Sequence, residues 1–187
     1  MPYFNFTHNK TNSMKKLFRL FRYDWPMHFI LLFTNWLPDN VFFIRLRGTL
    51  ISPFFKKCGK KLGVGRNVTF YDPSNIEIGD WVYIAYGCWF SPGFGITIED
   101  EVLFGPNNII ATGNHTRLNY SFRFGQSSGG KIFFGKGCWI GANCSILAGS
   151  IIGKGSVVAA NTVTNGIVPD NCVFAGQPGE VKKTYTN

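Results

Sequence analysis

The sequence predicts a parallel β-solenoid preceded by a short helical segment. Three observations carry that prediction. From Val64 an apolar residue recurs in steps of six, allowing two-residue insertions, at Val64, Phe70, Ile78, Ile84, Phe90, Ile98, Phe104 and Ile110. The register resumes without insertions at Phe134, Ile140, Ile146, Ile152, Val158 and Thr164. Thirteen of these fourteen are apolar in a chain that is 45% hydrophobic, so composition alone does not produce the period. Two residues before most of them stands a small or β-branched side chain: Val68, Ile76, Val82, Cys88, Ile96, Val102, Cys138, Cys144, Ser150, Ser156 and Thr162. Glycine follows directly at Gly65, Gly79, Gly105, Gly135, Gly141 and Gly153.

A six-residue period fits neither a helix face nor an alternating strand. It fits a coil in which each hexapeptide supplies one short strand and one corner, with three hexapeptides per turn and turns stacked about 4.8 Å apart. Glycine or asparagine at the corners tolerates positive φ, and the apolar residue with its small partner fills the narrow interior. The expected solenoid domain spans 58–187 and ends in a C-terminal tail.

Residues 1–57 differ in character. The Asn- and Thr-rich start, 1–13, is expected to be loosely ordered. Leu17, Phe18, Leu20 and Phe21 alternate with Lys15, Lys16, Arg19 and Arg22, which predicts a basic, aromatic helical stretch. A second amphipathic piece runs from Val41 to Phe55 around Arg45 and Arg47. These helices are expected to cap the open end of the coil and hide its unpaired strand edge. A second role is shallow contact with an anionic membrane, where aromatic residues and cations share the interface. The apolar run 27–33 falls well below the roughly 18 residues of a spanning helix. No small-residue cleavage site follows it, so neither a membrane span nor an export signal is expected.

The formal charge is +9, with much of the excess before residue 67. That suits an anionic partner: a membrane surface, a nucleotide or a phosphorylated carrier. Nucleic acid is not expected, because no helix-turn-helix, zinc-finger or RNP signature organises the charge. Five cysteines without a CxxC pair indicate neither a disulfide framework nor a zinc site, and point to a reducing, cytosolic compartment.

The repeat is suspended between Ile110 and about Ile132, so residues 111–131 are expected to leave the coil as an external loop. Arg117, Arg123, Gln126, Ser127 and Ser128 make it read as polar, and Gly129-Gly130 as a flexible return. It carries His115, the single histidine outside the N-terminal segment.

The segments Ile78-Gly79-Asp80-Trp81-Val82, Trp139-Ile140-Gly141-Ala142-Asn143, Ile152-Gly153-Lys154-Gly155-Ser156-Val157-Val158 and Val173-Phe174-Ala175-Gly176-Gln177-Pro178 resemble the hexapeptide-repeat acyltransferases. Sugar and polysaccharide O-acetyltransferases are the nearest in pattern, with streptogramin acetyltransferases nearby. The resemblance covers about residues 56–183. It implies a left-handed parallel β-helix, usually a homotrimer, using acetyl-CoA. It makes His115, in Gly113-Asn114-His115, the general base that activates a sugar hydroxyl. A hydroxyl is a poor nucleophile near neutral pH, so its attack on a thioester benefits from such a base. Transfer would then be direct, with a backbone N–H stabilising the oxyanion.

The same resemblance puts Trp139 and Ala142 beside the pantetheine and lets it approach closely at Ala159-Ala160. Gly176, Pro178 and Lys183 would lie near the nucleotide end. Tyr86, Asn114 and Arg117 are the acceptor-side candidates, and Tyr86, Trp89 and Phe94 a possible aromatic platform. Three departures stand out. Val163-Thr164-Asn165-Gly166 lacks a phosphate-contacting lysine that the family often has. Gly176-Gln177-Pro178-Gly179-Glu180 puts a carboxylate near the expected phosphates. Tyr86 replaces an acceptor-side asparagine of the small-galactoside enzymes.

The leading reading is O-acetylation of a surface polysaccharide, a lipopolysaccharide or its lipid-linked precursor, in the cytoplasm or at the inner membrane face. Alternatives are acetylation of an antibiotic, N-acetylation of an amino sugar, or a non-catalytic scaffold. A zinc enzyme on the same solenoid needs several converging histidines, and the repeat holds one, so no metal is expected.

Overall fold

The computed structural model describes residue 14 and residues 17–185. The tail 1–13, Lys15 and Lys16 lie outside the described residues.

The repeat folds into a three-faced solenoid of short parallel strands. The first face stacks Lys57–Cys58, Ile76–Ile78, Ile96–Ile98, Ile132–Phe134, Ile151–Ile152 and Ile167–Val168. The second stacks Gly63–Val64, Tyr83–Ile84, Leu103–Phe104, Trp139–Ile140, Val157–Val158 and Cys172–Gly176. The third stacks Thr69–Phe70, Trp89–Ser91, Ile109–Ala111, Ser145–Ile146 and Val163–Thr164. All fourteen positions of the six-residue register are buried, as are the eleven small partners named with them. Strand pairing aligns the register coil on coil: Val64 with Ile84, Phe104, Ile140 and Val158 on the second face, Phe70 with Phe90, Ile110, Ile146 and Thr164 on the third.

The interior changes character along the axis. At the N-terminal end Phe55, Phe70, Phe90, Phe104 and Phe134 form a continuous ladder with ring centroids 4.9–5.4 Å apart, mostly edge to face. Towards the other end hydroxyls take over. Thr164, the one polar member of the register, donates to Ser150 Oγ at 3.0 Å, and Ser150 donates to Leu147 O at 2.7 Å. Both hydroxyls are thereby paired, which offsets the desolvation penalty they would otherwise carry.

Every lengthened step of the repeat falls on one corner, between the third and first faces. Phe70 to Ile78, Phe90 to Ile98 and the long excursion from Ile110 to Phe134 are successive coils at that corner. The excursion enlarges a corner that is already irregular in the two coils before it.

Glycine has two separate roles. Positive φ recurs three residues before every register position except Ile78 and Phe134, often at Asn or Gly, as in Asn107 and Gly137, but also at Lys61, Trp81 and Glu101. The glycines that follow the register residues answer a different demand. A Cβ on Gly141 would lie 2.6 Å from Ala160 N in the next coil, so only hydrogen fits.

The N-terminal segment caps the coil. A π-helical turn, Leu20–Asp24, leads into α1 (Trp25–Thr34), and α2 spans Val41–Ile51. The Asn40 side chain caps α2 by accepting the Phe43 N–H at 3.0 Å. The helix stops short of the expected Phe55 because Pro53 forces a 3₁₀ turn, Ser52–Phe54. Gly63 and Gly65 donate to the second coil, so the polar groups of Val64 between them point away from it. Arg47 fills that edge: its guanidinium donates to Val64 O (2.8 Å), Leu37 O (2.8 Å), Asp39 Oδ1 (2.8 Å) and, through Nε, Thr34 O (3.3 Å). Asn35 Oδ1 accepts the Asn67 N–H at 3.0 Å, where the equivalent Gly87 N–H finds Arg66 O of a preceding coil. Arg47 is therefore fully buried: it counts towards the basic excess before residue 67 but is unavailable to an anionic partner.

Candidate active site

The hairpin that carries His115 is anchored by Thr112, a buried residue that the register does not mark. Its N–H and Oγ1 both donate to Ser91 O (3.1 and 2.9 Å), and Oγ1 accepts the Phe94 N–H at 2.9 Å. Its carbonyl accepts the Gly130 N–H at 3.0 Å, so the outgoing and returning strands meet on one buried residue. Beyond it Gly113–His115 runs antiparallel to Ser127–Gly129, with His115 opposite Ser127 and Asn114 opposite Ser128.

Further out, Thr116 donates twice to Gln126 O, and Leu118 and Ser121 exchange N–H···O bonds of 2.9 Å. Asn119 and Tyr120 both have positive φ, the geometry of a two-residue I′ turn. The excursion is thus an ordered β-ribbon rather than an irregular loop. It is also less polar than it reads, exposing Leu118, Tyr120, Phe122 and Phe124. Gly129 is not a flexible return. A Cβ there would meet Thr112 O and lie 2.5 Å from the Phe94 ring, so the glycine lets that ring seat the ribbon's base.

Side chains alternate along a strand, which puts Asn114 on the opposite side of the ribbon from His115. Arg117 has His115's parity, and its guanidinium lies 4.6 Å from the Tyr120 ring centroid. His115 is exposed in the single chain.

The donor-side candidates collect on a different corner, between the second and third faces. Here the same position in successive coils is Tyr86, Pro106, Ala142, Ala160 and Gly176. The column is hydrogen-bonded coil to coil: Asn107 N to Tyr86 O (2.8 Å), Asn143 N to Pro106 O (2.9 Å) and Asn161 N to Ala142 O (2.9 Å). Gln177 Nε2 then donates to Asn161 O at 2.6 Å. Ala142, Ala159, Ala160 and Gly176 leave a strip of nearly bare backbone. The strip ends at a groove of about 260 Å³ lined by Val163, Asn165, Gly166, Phe174, Pro178 and Gly179.

Trp139 projects from the second face between Leu103 and Val157, half exposed. Lys183 lies on the strand Gly179–Thr184, which turns back antiparallel along Cys172–Gly176, and its ammonium sits 5.1 Å from the Tyr185 ring. Glu180, the unexpected carboxylate, is held by Lys182 at 3.0 Å.

One chain does not bring these groups together. The His115 ribbon leaves one edge of the third face and the small-residue strip occupies the other. The outer row Trp89, Ile109, Ser145 and Val163 lies between them. Tyr86, Trp89 and Phe94 are likewise spread across the whole third face of one coil and form no single platform. Tyr86 instead accepts a hydrogen bond from Asn67 Nδ2 at 2.9 Å, at the head of the strip's own corner.

Asn108 is a second buried residue that sequence reasoning missed. It fills a small inward slot, donating to Gly105 O (2.8 Å) and accepting from Cys144 N (2.7 Å). Its signal is positional, two residues before Ile110. The inward thiols are poor nucleophiles: burial pushes Cys138 up to about 12 and raises Cys144 as well. Ala142, Ala159 and Ala160, the ribbon, and the groove wall at Val163, Asn165 and Gly166 share one feature, since no Asp or Glu occurs between Glu101 and Asp170. Among the described residues no group of three or more His, Cys, Asp or Glu side chains is placed to hold a metal ion.

Comparison with known proteins agrees with this architecture. The sequence profile for bacterial transferase hexapeptide repeats (six repeats) matches residues 132–166. The chain is 32% identical, over 66% of its length, to an Escherichia coli K12 protein described provisionally as a lipopolysaccharide-biosynthesis O-acetyltransferase, and spans 64% of that protein. It is 30% identical to the galactoside O-acetyltransferase of Escherichia coli K12, over 74% of this chain and 68% of that one. Its fold superimposes with a TM-score of 0.76 on a hexapeptide-repeat acetyltransferase from Vibrio cholerae solved with acetyl-CoA, at 26% identity, covering 99% of this chain and 94% of that one.

Proposed function

This chain belongs to the hexapeptide-repeat acetyltransferase family, and from that premise we propose that it moves an acetyl group from acetyl-CoA to a saccharide hydroxyl. The acceptor class is a surface polysaccharide, a lipopolysaccharide or its precursor. The observation that carries the reading is the ribbon anchored on Thr112, which presents Gly113-Asn114-His115 from the one irregular corner of an otherwise regular coil.

In this reading His115 accepts the proton of the acceptor hydroxyl as its oxygen attacks the thioester carbonyl. A C–O bond forms and the C–S bond breaks, with a backbone N–H stabilising the charge that develops on the carbonyl oxygen. The imidazolium then returns its proton to the departing sulfur. No acyl-enzyme is required, consistent with inward, protonated Cys138 and Cys144. Ala142, Ala159, Ala160 and Gly176 suit an extended pantetheine arm, because bare backbone offers close approach and polar groups without side-chain bulk. Trp139, Pro178 and Lys183 are assigned to the same ligand; the one carboxylate beside them, Glu180, is paired with Lys182. Tyr86, Asn114 and Arg117 are assigned to the acceptor.

The separation of His115 from the strip favours a homotrimer, in which one copy's ribbon reaches over the next copy's strip and closed symmetry repeats the contact. An acetyl-CoA donor favours a cytoplasmic site, at the inner face of the membrane if the acceptor is lipid-linked. Mass spectrometry of the native glycan with and without this protein tests the function. The expected difference is one acetyl group per modified residue, released by mild alkali as an ester. An alkali-resistant acetyl would mean amide formation instead, and an unchanged glycan would remove the reading.

A further inference from the structure

Helix α1 is apolar on two opposite sides, and only one of them is buried. Met27, Leu31 and Thr34 pack inward at helical spacing. Trp25, Phe29, Leu32 and Phe33 occupy the far side, with Trp36 just beyond the helix end, and all are exposed. Phe33 and Trp36 are 72% and 88% exposed, as much as free side chains at a surface. The stripe continues N-terminally through Phe18 and Phe21, the latter edge-on to Trp25 at 4.8 Å. A helix apolar all round belongs in a core or against lipid, and this one has a core on one side only.

Charge identifies what covers the other side. Residues 1–67 hold twelve of the nineteen Lys and Arg but only Asp24 and Asp39 of the ten acids, a net +10 against −1 for the rest of the chain. Asp39 is engaged by Arg47 and Arg66, and Asp24 faces Arg19 at 3.7 Å. The exposed stripe itself carries no carboxylate, while Arg22 is exposed beside it. A second copy of the same segment would bring equal positive charge against it, which disfavours self-association through this face. Exposed aromatic rings beside Arg22, on a segment of net positive charge, match the headgroup region of an anionic bilayer.

We propose that the outer face of α1, from Phe21 to Trp36, docks the protein on an anionic lipid surface, lying in the interface rather than crossing it. No helix among the described residues is long and apolar enough to cross a membrane. Arg47 is the rigid link, since its bonds to Thr34 O and Val64 O fix the helix to the first coil and would hold the solenoid in a set orientation to the surface. The inference is independent of the proposed acetyl transfer.

Sedimentation of the full chain with extruded vesicles tests it. Phosphatidylcholine vesicles containing phosphatidylglycerol should pellet the protein, and phosphatidylcholine alone should do so at least tenfold less well. Raising salt to about 1 M, where the Debye length falls to about 3 Å, should release most of it. The variant Phe29→Ser/Phe33→Ser/Trp36→Ser should lose at least tenfold in binding while melting like the parent, because all three side chains are exposed. A parent that stays in the supernatant with anionic vesicles would overturn the proposal. So would a triple variant that binds undiminished, or one whose main change is a smaller oligomer by light scattering, which would make the face a contact between copies.

Discussion

Thr112 Oγ1 accepts the Phe94 N–H at 2.9 Å while donating to Ser91 O at the same distance, and this pair of bonds sets where the His115 ribbon leaves the coil. Thr112→Val keeps the shape and removes both bonds, leaving the Phe94 N–H without its acceptor and Ser91 O with the Thr112 N–H alone. The expected cost is about 1–3 kcal/mol of stability. The expected kinetic effect is a fall in kcat with acetyl-CoA affinity unchanged, because the ribbon shifts and the strip does not. Thermal unfolding and initial rates check both, and an unaltered kcat would detach the ribbon's placement from catalysis.

Arg47 closes the coil with a buried guanidinium whose partners are mostly carbonyls. Arg47→Ala strips the guanidinium donors from Val64 O and Leu37 O and leaves Asp39 with Arg66 alone, so a loss of about 3–5 kcal/mol is expected in urea unfolding. Arg47→Lys should recover only part, since an ammonium cannot reproduce the planar fork. A surface-like loss below about 0.5 kcal/mol would refute the capping role.

Two glycines separate crowding from backbone conformation. Gly141→Ala forces a Cβ against Ala160 N at 2.6 Å and should cost about 1–3 kcal/mol while weakening acetyl-CoA binding along the strip. Gly137→Ala meets nothing within 4 Å but sits at φ +67°, so about 1–2 kcal/mol of backbone strain is expected with binding intact. Calorimetric titration with acetyl-CoA distinguishes them.

Much of the fold was legible because the solenoid's interior is one residue wide. Each coil must repeat the same inward positions, so Val64 to Thr164 could be read directly as period. The ribbon was harder. Its pairing depends on a two-residue turn at Asn119-Tyr120 and on the Phe94–Gly129 contact, neither of which leaves a periodic trace. Gly129-Gly130 reads as flexibility in sequence and is close packing in space. Arg47 reads as surface charge for a similar reason: only the missing coil before Val64 explains its burial. The candidate residues Ala142, Ala160 and Gly176 fall on one corner through the coil repeat itself. That His115 lies on another corner required the positions of the strands.

Alkaline pH should destabilise the fold through its buried thiols. Burial raises Cys88 to about 11 and Cys138 to about 12, from an ordinary 9.0. Between about pH 9 and those values the unfolded chain releases protons that the folded chain retains. Stability is therefore fully present below pH 9 and falls as pH rises, by up to about 1.4 kcal/mol per unit for each thiol. Cys138→Ser tests the sign: its stability should fall less steeply above pH 9, as followed by unfolding midpoints. A slope equal to the parent's would contradict the assignment.

The central claim is that His115 is the base for acetyl transfer. The direct measurement is the initial rate of transfer from acetyl-CoA to a saccharide acceptor by the parent and by His115→Ala, with acetyl-CoA affinity measured on both. A loss of about 10²- to 10⁴-fold in kcat with affinity unchanged is predicted. Undiminished transfer by His115→Ala would contradict it.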